Sequence, residues 1–124
     1  MQYYTTIEQS KKLVELGLNP DTADMQWFLE DDYGIVQIKE NLSDWGGDCA
    51  IPCWSLGALL ELMPKIQEYD DDGGCYPVLS KGWHNDRWHC VYRYSIHITE
   101  WYSDSIEAVF EMVCWLLKNN YIKK

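Results

Sequence analysis

Residues Asp104 to Asn119 read DSIEAVFEMVCWLLKN, and the fold turns on this stretch. At 100° per residue, Ile106, Val109, Phe110, Val113, Leu116 and Leu117 fall on one broad apolar arc. Ala108, Met112 and Trp115 carry apolar character round the back, which leaves Glu107, Glu111 and Lys118 as a narrow polar wedge. Asp104 with Glu107 three residues on fits a capping box, and Asn119-Asn120 marks the stop. Lys118 in the last turn, with Lys123 and Lys124 beyond it, suits the negative end of the helix dipole. A helix this apolar is packed on most of its sides. Either another element covers the second flank, such as a first helix carrying Ile7 and Val14, or a second molecule does. In the second case Ala108, Met112 and Trp115 form a partner surface, and self-association would set each Trp115 near its counterpart.

The chain has 124 residues, the usual size of one domain, so 1–124 is read as a single unit with a real core. Its 47% hydrophobic and 24% charged content is ordinary for a globular protein, but seven Trp and nine Tyr are many for this length. Large rings of this kind fill a small core or line a binding surface. A formal net charge of -10, with ten Lys and Arg spread along the chain, argues against direct nucleic-acid binding and against an anionic membrane surface. No apolar run approaches the roughly 18 residues of a membrane span. The start, MQYYTTIEQSKK, has neither the basic nor the apolar region of a signal peptide. Five cysteines without a secretion signal imply reduced thiols and a cytoplasmic protein.

The remaining elements follow from local signals. Thr6 to Leu16 reads as a first helix, with Thr6 and Gln9 as a capping box, Thr5 and Glu8 as the alternative register, and Gly17 as the C′ glycine. Asn19-Pro20-Asp21 breaks the chain. Met25 to Leu29 and Ile35 to Lys39 read as a hairpin around the acidic loop Glu30 to Gly34, and Asn41 to Cys49 as a loop. Ser55 caps a second helix, Leu56 to Met63, that stops near Pro64. Cys75 to Ser80 and Arg87 to Tyr102 form a second hairpin through Lys81 to Asp86. In the long arm Trp88, Cys90, Tyr92, Tyr94, Ile96 and Ile98 alternate with His89, Val91, Arg93, Ser95, His97 and Thr99, giving one apolar and one mixed face. The fold expected is α+β in the order α-β-β-α-β-β-α, an antiparallel sheet from two hairpins with helices mainly on one face. No repeat is convincing, although αββ occurs twice.

The blocks TIEQSKKLVELGL, TADM, IPCWSLGALLELMP and EAVFEMVCWLLKNNYI resemble a family of small proteins recurring in gut Bacteroidetes genomes and in their prophages and mobile elements. The likeness covers about half the chain. It is most specific at Pro52-Cys53-Trp54-Ser55-Leu56 and in the terminal helix. In that family a small residue such as alanine often stands at the position of Cys53, and Asn-Pro often precedes the last helix. The resemblance implies a mobile-element setting and brings no activity with it.

Each candidate chemistry has a plainer alternative. Cys49 and Cys53, with His84, His89 or Cys90, would make a zinc site, but structural zinc favours two tight pairs, and buried thiols are the commoner reading. Asp70 to Asp72 followed by Gly73-Gly74 lacks the alternating oxygens and closing glutamate of a calcium loop. No phosphate loop, nucleophile elbow, dinucleotide fingerprint or zincin helix appears, so no catalytic residue, cofactor or metal ligand is assigned. Acidic charge, many aromatics and an over-apolar terminal helix favour a protein-binding accessory protein or inhibitor, through an unidentified partner or self-association. A DNA mimic is the sharper variant, although Glu8, Glu15, Glu30, Asp31, Asp32 and Asp70 to Asp72 are dispersed. A small enzyme or zinc module comes last.

Overall fold

The computed structural model describes residues 2–30, 33–38, 50–66, 76–82, 86–92 and 97–122. Three α-helices, α1 (Ile7–Glu15), α2 (Leu56–Leu62) and α3 (Ser105–Lys118), alternate with β1 (Met25–Glu30), β2 (Tyr33–Ile38), β3 (Ala50–Cys53), β4 (Pro77–Lys81), β5 (Trp88–Tyr92) and β6 (His97–Ile98). A short 3-10 turn, Pro20–Thr22, follows α1, with the Asn19 side chain accepting from the Asp21 amide. The class is α+β, as the periodicities require. The strands form two three-stranded antiparallel sheets, β2-β1-β3 and β4-β5-β6, where one sheet from two hairpins was expected.

The helix ends are set by local chemistry. Thr6 and Gln9 bond reciprocally, side chain to backbone, as the capping box predicts. At the other end Gly17 takes φ 98°, its amide bonds Val14, and the Leu18 amide reaches back to Leu13. This is a Schellman ending, sealed by the buried pair Leu13 and Leu18. The helix α3 ends the same way on an asparagine: Asn120 sits at φ 62°, its amide on Leu117 and the Tyr121 amide on Leu116. Its start departs from expectation, because Asp104 is the N-cap residue but makes no side-chain cap bond. Ser55 caps α2, its Oγ accepting from the Ala58 amide while Asp24 takes both its amide and its hydroxyl proton.

Two strands differ from the sequence reading. The segment Ala50–Cys53 pairs with β1, which places Pro52 opposite Gln26 in an edge strand. The long arm Arg87 to Tyr102 is not one strand. Tyr92 pairs with His97 and Val91 with Ile98, so β6 runs back along β5. That reversal exchanges the faces, since paired residues point the same way. His97 therefore joins Cys90 and Tyr92 on the inner face, and Ile98 joins Val91 on the outer one. The order α-β-β-β-α-β-β-β-α looks repetitive, but β1 is central in the first sheet and β5 in the second.

The helix α3 packs against β5, β4 and α2, and α1 packs on β3. One hydrophobic cluster joins Leu13, Trp54, Leu59, Cys90 and Tyr92 to Ile106, Val109, Val113, Leu116 and Leu117. Removing this much apolar surface from water is the main favourable term in the fold. The wedge Glu111 and Lys118 stays exposed, with Glu107 half-buried.

Candidate functional site

The outer face of the second sheet is built from three aligned β-branched residues. The pairings Val78↔Val91 and Val91↔Ile98 set them in one row across β4, β5 and β6. Val78 is 45% exposed and Ile98 51%, and Tyr76, at the foot of β4, is 65% exposed. Such a row normally faces a core. Here the inner face already packs on α3, so the outer row is turned to solvent.

A bulge adds an indole to this face. Cys90 exchanges backbone and side-chain bonds with Thr99, while two residues earlier Trp88 bridges Tyr102. Glu100 and Trp101 thus stand against His89 alone, the two-against-one count of a β-bulge. The bulge lays Trp101, 40% exposed, on the His89 ring at 3.9 Å between centroids and 11° from coplanar.

Beside Ile98 the sheet edge opens into a cavity of about 480 Å³ lined by His97, Ile98, Thr99, Glu100, Tyr102 and Glu111. His97 forms one wall, stacked at 4.4 Å on Trp115, which stacks in turn on Tyr121. Burial lowers the His97 pKa from its ordinary value, and the Glu111 carboxylate works against that shift. The Tyr102 phenol is pushed up by burial first and then by Glu111, Glu100 and Glu107. A second open cavity, of about 510 Å³, lies beside α2 and is lined by Thr22, Asp24, Ser55, Gly57, Ala58, Glu61 and Leu62. Its Asp24–Ser55 pair is spent on capping the helix.

The residues singled out in the sequence lie elsewhere. Ala108 and Met112 are fully buried in the chain's own core and have no area to offer a partner. Trp115 is half-buried between His97 and Tyr121. Two residues of the expected surface, Ala108 and Met112, are thus internal, in a helix that packs on α2 and the second sheet; Trp115 keeps part of its surface, and Val14 of α1 stays exposed. Cys53 and Cys90 are buried in different sheets, and His89 points away from its neighbour Cys90; Cys49 and His84 lie outside the described residues. Among the described residues no three His, Cys, Asp or Glu side chains are placed to hold a metal ion. Asp31, Asp32 and Asp70 to Asp72 are outside them as well.

The outer row was missed because period two, carried straight through residues 93–96, put Ile98 inside. The pairing of Val78 with Val91 differs from the expected hairpin as well: a connection of Lys81 to Asp86 would set Val78 opposite His89, whereas Lys81 pairs with Trp88 and shifts the register by two. Set against known proteins, the chain matches no family model, no curated protein and no solved structure. Among the described residues no helix is long and apolar enough to cross a membrane.

Proposed function

We propose that this chain is a small, acidic, cytoplasmic protein-binding accessory protein that meets its partner through the outer face of the β4–β5–β6 sheet. The observation that carries the reading is the row Val78–Val91–Ile98, exposed at Val78 and Ile98 and half-buried at Val91, with Trp101 beside it. Contiguous exposed apolar and aromatic groups are the composition of a contact surface rather than of an ordinary wet face. The sheet edges support a face rather than an edge contact. The strand β4 begins at Pro77 and ends at Lys81, and β6 is two residues long and runs into the bulge. Such features discourage another strand from adding. Burial pushes Cys53 up to about 11 and Cys90 and Cys114 up to about 12, so these three thiols serve the core.

The test compares wild type with Val78→Thr/Ile98→Thr, which keeps β-branched strand residues and removes apolar surface. A protein from the native host that binds purified wild type in a direct assay, and binds the variant at least tenfold more weakly at an unchanged melting temperature, supports the proposal. Equal binding to both overturns it.

A further inference from the structure

The apolar row and the acidic cavity are one continuous surface, because Ile98 belongs to both. Glu100 reaches the cavity from the bulge and Glu111 from the exposed wedge of α3, two elements that converge only in the fold. Thr99 lies at the same place, but its hydroxyl is occupied, accepting from the Cys90 amide and donating to the Glu100 carbonyl. Two carboxylates, Glu100 and Glu111, line the cavity, and two aromatic rings, His97 and Tyr102, form its walls with their own neutral donors and acceptors. Burial first, and then the Glu111, Glu100 and Glu107 carboxylates, raise the Tyr102 pKa, in keeping with carboxylates near that wall.

We propose that this cavity receives an arginine side chain from a protein segment whose apolar residues lie on Val78, Ile98 and Trp101. This rests on the outer-face reading and adds the chemistry of the partner. A planar guanidinium matches both features of the site, donating to carboxylates while stacking on rings. A free cation would use the carboxylates alone and leave the adjoining apolar row wet. A segment that alternates apolar and basic residues satisfies both together. The stack of His97 on Trp115 holds one wall in place, so little ordering is needed on binding.

The probe is the peptide acetyl-Leu-Arg-Leu-Arg-Leu-amide, titrated at low salt into the chain labelled at its isoleucine and threonine methyls. Saturable shifts centred on Ile98 and Thr99 are expected. Glu100→Gln/Glu111→Gln should weaken the binding roughly three- to tenfold, and so should raising salt to about 0.5 M. Both carboxylate sites are exposed, and an unchanged melting curve confirms that the variant is folded. The inference is overturned if the double variant binds like wild type, if the shifts map elsewhere, or if arginine amide alone binds as tightly as the peptide. The two proposals fail separately. A host partner lost with Val78→Thr/Ile98→Thr but kept by the glutamine variant removes this inference and leaves the outer-face reading. Carboxylate-dependent peptide binding, beside a host partner indifferent to Val78 and Ile98, does the reverse.

Discussion

His97 lies face to face with Trp115, ring centroids 4.4 Å apart and planes within 9°, and this contact ties β6 to the C-terminal half of α3. It exists because β6 turns back along β5 and brings His97 to the inner face. A histidine there is partly shielded, and burial lowers its pKa while Glu111 opposes the shift.

Stability should therefore fall on the acid side through this group. With the folded pKa below the unfolded value near 6.5, the unfolded chain binds the proton more readily. The contribution is fully present above about pH 6.5 and is lost as pH drops toward the folded pKa. Urea midpoints measured between about pH 7 and pH 5 should decline in wild type. His97→Phe keeps a ring on Trp115 and should flatten that part of the decline. An equally steep decline in the variant would show that other groups cause it.

Met112→Ala should cost more than Trp115→Ala, although tryptophan is the larger side chain. Met112 is fully buried, and a truncation there leaves a cavity costing about 2–5 kcal/mol. Trp115 is half-buried and loses two ring contacts, for about 2 kcal/mol. Denaturant unfolding of both variants gives the order, and the reverse order would mean that Trp115 is buried in a second molecule.

Thr5 is the polar hub of the N-terminal half. Its Oγ1 meets Ser10 Oγ at 2.7 Å and accepts from the Trp54 amide at 3.1 Å, while its carbonyl accepts from the Trp27 indole at 3.0 Å. Thr5→Val keeps the shape and strands the buried Trp54 amide and Ser10 hydroxyl, which should cost about 1–3 kcal/mol. Adding Ser10→Ala removes one stranded group, so the double variant should be less destabilised than the sum of the singles. Strict additivity would break the hub.

The three described thiols should resist alkylation in the native state. Cys53, Cys90 and Cys114 are buried, and burial holds each in its unreactive protonated form. Peptide mapping after brief iodoacetamide treatment at pH 8 should find them unmodified in the native protein and modified in denaturant. Rapid native labelling of Cys114 would show that α3 opens.

What was legible in the sequence and what was not divide along the range of the signals. The Thr6–Gln9 box, the Ser55 cap, Gly17 and Asn120 act within a few residues of themselves, so the helices are read to within a residue or two. The wedge Glu107, Glu111 and Lys118 is likewise a property of one helix. The segment Ala50–Cys53 was hidden by Pro52, which argues against a strand everywhere except at an edge. The reversal before His97 carries no glycine or proline, and Arg93-Tyr94-Ser95-Ile96 continues the alternation unbroken. Ala108 and Met112 were offered to a partner because a helix seen alone does not reveal how many elements converge on it. The exposed row depends on the reversal, so it too was out of reach.

The reversal itself supplies the last prediction. If Arg87 to Tyr102 were one straight strand, Ile98 would share the buried face of Cys90 and Tyr92, and its substitution would be a core substitution. In the β5–β6 pairing Ile98 stands beside Val91, facing water, while Cys90 and Tyr92 face α3. Ile98→Thr should then change stability by no more than about 0.5 kcal/mol, as surface substitutions do. Tyr92→Ala should cost about 3–5 kcal/mol, because it empties a fully buried site and leaves the Pro64 carbonyl without the hydroxyl now donating to it at 2.8 Å. Urea unfolding of the two variants settles the register, and a loss of several kcal/mol at Ile98 would place it inside and take the proposed contact surface with it.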